Sequence, residues 1–299
     1  VKNKFPLLEL TPVEEYNGVL YKRDDLFRPF GERHVNGGKV RQAIALLENN
    51  YDRIKNQCNE TVITATASNS PQGAIIAKTA KEFGLKAIIG VGGCKEHTLY
   101  SHYLLQLAKY YGADVRIIAG HAQGKVVESK ARQIALKENY FHIAFGINLN
   151  DDAEAIISST ANQVQNLPDN LDNLVITVGS GIIMGGILGG IAKYNKKVKR
   201  IIGVQVVHHD RRPTIDKCYK SVVPFGVRVP YEFYYTGIPY DDVVLAHFGD
   251  NIPLDVTYEA KVFNWMMKNV DVKTEKTLFW IVGKKLTEEQ VNYLIKNKE

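Results

Sequence analysis

From about residue 60 the chain alternates between two hydrophobic periods. Thr61-Val62-Ile63-Thr64-Ala65 is a short unbroken apolar run of strand length. Residues 71–83 then place Ala74, Ala77 and Ala80 on one helical face, with Pro71 in the first turn and Gly84 as the stop. Lys86-Ala87-Ile88-Ile89-Gly90-Val91 reads as the next strand, residues 98–111 as a helix ending at Gly112, and Asp114-Val115-Arg116-Ile117-Ile118 as a third strand. A helix over residues 123–138 completes this set. Such alternation predicts βαβ units around a parallel sheet.

A second set follows. Residues 152–164 are helical in pattern, Asn173-Leu174-Val175-Ile176-Thr177-Val178 is strand-like, and residues 185–194 form a helix of small residues. Residues 200–207 make a long strand. Residues 208–250 carry scattered Pro and Gly without a clear period, which predicts loops and short elements. A helix over 256–270, a strand over 277–282 and a terminal helix over 287–296 close the chain. Thr287-Glu288-Glu289-Gln290 has the spacing of a capping box.

Composition narrows the class. The 299 residues are 45% hydrophobic, enough for a full core in about two domains. The longest apolar stretch, residues 175–191, is broken by six glycines and reads as strand, loop and helix rather than a membrane span. Val1-Lys2-Asn3-Lys4-Phe5-Pro6 shows no signal-peptide pattern. Cys58, Cys94 and Cys218 are odd in number and widely spaced, which argues against a disulfide framework or zinc site and for a reducing, cytoplasmic setting. No His/Cys spacing suggests a metal. The formal charge is +6, and its one dense cluster, Lys193, Lys196, Lys197, Lys199 and Arg200, reads as a solvated turn before a strand. An anionic ligand or polymer stays open as its partner.

Four short segments carry candidate chemistry. Lys39 follows Gly37-Gly38 at the start of a helix-like stretch, where backbone can approach closely and an amine is tuned toward a nucleophile or base. Ser68-Asn69-Ser70-Pro71 joins a strand to a helix, so its N–H groups suit a carboxylate; taken alone, ordinary capping by Ser or Asn explains it better. Gly179-Ser180-Gly181-Ile182-Ile183-Met184-Gly185-Gly186 also links strand to helix and offers a backbone cradle for phosphate. It is not a GxGxxG dinucleotide fingerprint. His208-His209-Asp210-Arg211-Arg212 follows a strand on the side where βα loops gather, and could recognise an anionic group.

Together these segments resemble the fold-type II pyridoxal-phosphate enzymes, in particular the 1-aminocyclopropane-1-carboxylate deaminase and D-cysteine desulfhydrase branch. The similarity runs through Tyr21-Lys22-Arg23-Asp24-Asp25-Leu26, Gly37-Gly38-Lys39-Val40-Arg41, Ser68-Asn69, Gly179-Ser180-Gly181, and Leu254-Asp255-Val256-Thr257-Tyr258-Glu259-Ala260-Lys261. Tyr235-Thr236-Gly237-Ile238-Pro239 matches more loosely. The resemblance implies a two-domain α/β fold of the tryptophan synthase β kind, with parallel sheets flanked by helices. Residues 44–148 would form a small domain inserted in a large one built from residues 1–43 and 149–299, with the active site in the cleft between them.

The same resemblance implies roles. Lys39 would hold pyridoxal 5'-phosphate as an imine and then act as base, with Ser68, Tyr235 and Tyr258 as further catalytic groups. Asn69 would bond the cofactor's phenolic oxygen, and Gly179, Ser180, Gly181, Ile182, Ile183 and Met184 its phosphate. Ser68, Asn69, Ser70 and Gln72 would meet the substrate. Glu259 beside the pyridine nitrogen would favour the protonated ring, a stronger electron sink for a carbanion.

Ile182-Ile183 stands where the family has Gly-Thr, Gly38 where it has Asn, and Ser70-Pro71-Gln72 where it has polar and basic residues. The implied activity is that of a lyase, deaminase or desulfhydrase on an amino acid or amino-acid-like amine, in a homodimer. One alternative keeps the cofactor but takes a larger anionic substrate, an amino acid joined to a nucleotide or nucleic acid. The other is a protein that binds the cofactor or a metabolite without turnover.

Overall fold

The computed structural model describes residues 4–93, 95–120, 124–147, 152–223 and 227–298. Cys94, Gln123 at an expected helix start, Asn148 and the expected domain border at 148/149 lie outside the described residues. The chain divides into two compact units, one of Val1–Phe5, Arg28–Asp152 and Lys285–Glu299, the other of Pro6–Phe27 and Ala153–Lys284. These differ from the expected division in giving the first unit the segment from Arg28 and the C-terminal helix.

The chain opens with the antiparallel hairpin β1 (Val13–Tyr16) and β2 (Val19–Arg23), which belongs to the second unit. In the first unit, α1 (Gly38–Asn49) and α2 (Tyr51–Gln57) precede β3 (Thr61–Ala65), β4 (Lys86–Gly92), β5 (Asp114–Ala119) and β6 (Phe141–Ile143). These four strands form a parallel sheet in the order β5-β4-β3-β6. The crossovers are α3 (Gln72–Glu82), α4 (Tyr103–Tyr110) and α5 (Lys125–Glu138). Ile63 and Ala65 of β3 pack with Ala131 and Ala135 of α5, so the strand is buried throughout and reads as a continuous apolar run.

The expected helix over 98–111 is interrupted. Residues Glu96–Ser101 form a 3-10 turn, and His102 takes an extended conformation before α4 begins. Thr98 Oγ1 donates to the Lys95 carbonyl at 3.0 Å, and Ser101 Oγ donates to the Thr98 carbonyl at 2.7 Å. These hydroxyls compete locally with the α-helical ladder.

In the second unit α6 (Ala153–Ala161) leads to β7 (Leu171–Val178), α7 (Ile182–Lys193), β8 (Val198–Gln205), α8 (Arg212–Lys220) and β9 (Glu232–Tyr235). The short pair β10 (His247–Phe248) and β11 (Ile252–Pro253), then α9 (Glu259–Asn269) and β12 (Thr277–Ile281), complete it. Helix α10 (Glu288–Asn297) returns to the first unit, where it packs against α4; the Thr287 capping box is formed. The large sheet runs β1-β2-β12-β7-β8-β9 and is parallel except at its first pair.

Strand alternation sorts β7 between two cores. Leu174, Ile176 and Val178 join Met184, Ile187 and Leu188 of α7, while Val175 joins Ala260 and Val262 of α9 on the other face. Helix α8 and strand β9 arise in the stretch expected to hold only short elements. Their cues were faint: Pro213 in the first turn of α8, and four residues of β9 at the sheet edge. The basic cluster is answered locally. Lys196 donates to the Leu167 carbonyl at 2.8 Å, Lys199 pairs with Asp172, and Arg200 makes two bonds to Glu232 at 2.9 and 3.0 Å. No helix among the described residues is long and apolar enough to cross a membrane.

Candidate active site

Lys39 is the second residue of α1, partly buried between the buried Gly38 and Val40. The helix can start there because Gly37 has φ 91°, a backbone region L side chains avoid. Its carbonyl accepts from the N–H groups of Val40 and Arg41. The lysine therefore stands in the first turn of a helix, where the macrodipole opposes added positive charge.

In the same unit, Ser68, Asn69 and Ser70 form the turn between β3 and α3. The Ser70 N–H donates to the Ala67 carbonyl at 3.0 Å, and the Gln72 N–H donates to Ser70 Oγ at 3.3 Å. Pro71 has no N–H. Two of the groups expected to be open are thus engaged, and a third does not exist. Gln72 is buried with its amide satisfied by protein. Its Nε2 donates to Thr64 Oγ1 at 2.8 Å and the Ala144 carbonyl at 3.2 Å, while Oε1 accepts from Gly146 N–H at 2.6 Å. It braces the turn against β3 and the segment after β6.

In the second unit the glycine loop behaves as a helix-opening turn. Gly181 has φ 91°, and α7 begins at Ile182, three residues before the expected Gly185. Ile182 is therefore a helical residue in the core, where its Cβ costs nothing, and the conformation that needs glycine belongs to Gly181. Ile183 is partly buried, and the Met184 side chain packs over Gly203 of β8. What this turn presents is backbone N–H from Ile182 to Met184 and the hydroxyl of the half-buried Ser180. A Cβ on Gly181 would lie 3.0 Å from Ile215 Cγ1. Gly181→Ala is expected to lose about 1–3 kcal/mol from the left-handed backbone. A urea melt checks this, and an unchanged midpoint would remove the strain argument.

The segment before α9 is closed by Asp255, whose Oδ1 accepts from Thr257 N–H at 2.9 Å and Tyr258 N–H at 3.1 Å. That turn sets Tyr258 at the cap and Glu259 in the first helical turn. A Cβ on Gly179 would meet the Tyr258 ring at 3.4 Å, so glycine loop and tyrosine are neighbours. The Tyr258 hydroxyl pairs with that of Tyr240. Burial first, and then Tyr240, Asp255 and Glu259, push the Tyr258 phenol well above its ordinary pKa. It is a donor at neutral pH, not a base. Tyr240 is pinned by the buried Lys261, which donates to the carbonyls of Pro239 at 2.6 Å and Tyr240 at 2.9 Å. Tyr235, half-buried, donates to the Ile238 carbonyl at 3.1 Å and has His208 beside it.

Glu259 is 1% exposed. Its Oε1 accepts from Val282 N–H at 3.1 Å, and its Oε2 has no hydrogen-bond partner among the described residues. Burial, with the charges of Asp255 and Asp25 behind it, holds this carboxyl well above the usual carboxylate range. Asp25 belongs to the Lys22-Arg23-Asp24-Asp25 segment, which is a buried brace. Lys22 donates to the Thr11 carbonyl at 2.7 Å and Asn166 Oδ1 at 2.6 Å. Arg23 grips Asp25 with two bonds of 2.9 Å, and Asp24 accepts from Thr11 at 3.0 Å and Trp280 at 3.3 Å. Asp255, Tyr240 and Lys261 had no assigned role in the sequence reading. Asp255 carried a usable signal, an acceptor just ahead of a helix.

The second unit thus carries a glycine turn opening one helix and a buried carboxyl at the head of another, and the first unit a lysine opening a third. The chain belongs to the family described as pyridoxal-phosphate dependent enzyme, which matches residues 3–227. It is similar to the O-seryl-dTMP PLP-dependent decarboxylase of Salmonella phage ViI, 25% identical over 89% of this chain and 78% of that protein. Among solved structures, an ACC deaminase homologue shares the fold with TM-score 0.75 at 23% identity, covering 94% of this chain and 92% of that one. The processed form of threonine deaminase isoform 2 from Solanum lycopersicum does so with TM-score 0.63 at 14% identity, covering 98% and 85%.

The residues present fit the family's cofactor, pyridoxal 5'-phosphate. The partnerless Glu259 Oε2 is a buried acid oxygen suited to a ring nitrogen. The turn Gly179–Gly181 is a cradle that side-chain methyls would fill, since the Cβ positions meet Tyr258 and Ile215.

Proposed function

We propose that the chain is a pyridoxal-phosphate-dependent lyase that removes the carboxyl group of an amino acid carried on a nucleotide. The observation that carries this reading is the turn Ser68–Gln72. With Ser70 and Gln72 N–H engaged and Pro71 lacking one, a carboxylate there meets few donors. A poorly solvated carboxylate is raised toward loss as carbon dioxide. The substrate class rests on the likeness to the phage enzyme, which spans most of both chains.

In this reading the Cα–carboxyl bond breaks, carbon dioxide leaves with the carboxyl carbon, and Cα gains a proton. The bound cofactor supplies an electron sink for the pair left on Cα. Lys39 Nζ would hold the cofactor's aldehyde carbon and would carry a proton. Glu259 Oε2, a carboxyl raised by burial, would hold a proton toward the ring nitrogen. Tyr258 donates from a hydroxyl kept neutral by burial and by Tyr240. The turn from Ser180 to Met184 would hold the phosphate, and Asn69 would bond the phenolic oxygen.

A second reading, ammonia release from a free small amino acid, is favoured by the shared fold with the ACC deaminase homologue. Incubation of the holoprotein with O-seryl-dTMP, serine of either hand and 1-aminocyclopropane-1-carboxylate separates the two. The expected result is carbon dioxide and a carboxyl-free nucleotide amine from the conjugate alone. Ammonia from a free amino acid, with the conjugate untouched, would sink the decarboxylase reading.

A further inference from the structure

We propose that Arg211 is a phosphate-binding residue, lending its guanidinium to a phosphate monoester held at the turn Gly179–Gly181. The turn itself supplies only uncharged donors. Its side chains after Ser180 are those of Ile182, Ile183 and Met184, so a dianion there has hydrogen bonds but no countercharge from the turn.

Arg211 stands beside it. Strand β8 neighbours β7 in parallel, so the segments that follow them leave the same sheet edge. Arg211 is the residue just before α8, and its carbonyl oxygen and Cβ lie 3.4 and 3.5 Å from where a Gly181 Cβ would be. Ile215, one turn further along α8, closes the same spot at 3.0 Å. The two segments are therefore in van der Waals contact across Gly181.

Among the described residues no carboxylate answers the guanidinium. Its Nε is shut off from solvent with no hydrogen-bond partner among the described residues. Burial alone pulls its pKa below the ordinary arginine value, with no acidic neighbour raising it. The adjacent carboxylate, Asp210, is taken by Arg212, which reaches it with its backbone N–H and Nε at 3.0 Å and with Nη2 at 2.9 Å. Arg211 is partly buried, and a desolvated guanidinium N–H is costly unless a ligand supplies its acceptor. A phosphate supplies both charge and paired acceptors matched to a guanidinium fork.

Two sources of that phosphate share the chemistry: the cofactor and the nucleotide substrate. The inference rests on the family's cofactor and, for the second source, on the proposed substrate class. Apoprotein of wild type, Arg211→Gln and Arg211→Lys is titrated with pyridoxal 5'-phosphate against pyridoxal, and holoprotein with dTMP against thymidine. Arg211→Gln should weaken one phosphorylated ligand by about ten- to a hundredfold and leave its phosphate-free partner unchanged. Arg211→Lys should recover part of the loss. Loss against pyridoxal 5'-phosphate assigns the cofactor; loss against dTMP assigns the substrate.

Unchanged affinities in a folded Arg211→Gln protein overturn the proposal. Should that variant fail to fold, salt titration of wild type decides: phosphorylated ligands must weaken with salt more than their phosphate-free partners, and equal slopes overturn it. Wild-type binding of pyridoxal reports the cofactor independently, so failure with the seryl nucleotide and failure of Arg211 remain distinguishable.

Discussion

Replacing Lys39 by alanine is expected to abolish the visible absorption of the reconstituted protein and to cut turnover by at least about a thousandfold, since one residue serves as nucleophile and proton carrier. The fold should survive. Lys39 is only partly buried, and alanine favours a helix more than lysine does. The cofactor would still find its phosphate turn, so the variant should bind it weakly and lose it on dialysis. Borohydride reduction followed by mass spectrometry should fix the cofactor to wild type and leave Lys39→Ala unmodified. A coloured, borohydride-labelled Lys39→Ala protein would assign the imine to another lysine.

Glu259→Gln is expected to lower kcat by about a hundredfold, the scale for losing one preorganised electrostatic partner of the reacting system. Glutamine keeps the volume and the oxygen that accepts from Val282 N–H, so a loss would report the missing acid and not a cavity. A pH signature in the apoprotein accompanies it. The folded-state pKa of Glu259 is raised, so between the unfolded value, about 4.3, and the folded one the native state binds the extra proton. Stability from this group is present below the unfolded value and is lost as pH rises through the folded one. Apo-Glu259→Gln should therefore gain on apo-wild type as pH increases from 4 toward neutrality. Parallel melting curves across that range would place the carboxyl in an ordinary environment.

The alternating strands and helices were legible because β3, β4, β7 and β8 are covered on both faces and so appear as solid apolar runs. Elements outside that rule were not. Strand β9 is a four-residue edge, and the run Lys22–Asp25 is a buried brace that reads as surface. Lys22, Arg23, Asp24 and Asp25 are all buried, yet nothing in their order says which partners they meet. Trp280 and Asn166 come from far along the chain.

The site shows the same split. The proposed lysine, two turns and glutamate stood out because each sits at the junction of a strand and a helix or at a helix start, and junctions leave local marks. The groups that tune them could not. Tyr240 reaches Tyr258, and Asp25 raises Glu259, through distances set by the whole sheet. Taken by its pattern alone, Glu259 belongs on an exposed helix face. Its burial follows from where α9 lands against β7 and β12.

Helix α7 carries the glycine turn on a mount of unusual closeness. Methyls at Gly186, Gly189 and Gly190 would run into Thr160, Val222 and Val164, and one at Gly185 into Cys218. With glycine at all four places, the rod lies in a socket cut to backbone width and approached closely on several sides. The proposed phosphate seat at its tip would thus be positioned by neighbours that never meet the guest. An incoming vitamin would find that seat already shaped, and variation in what the enzyme accepts is left to the loops around it.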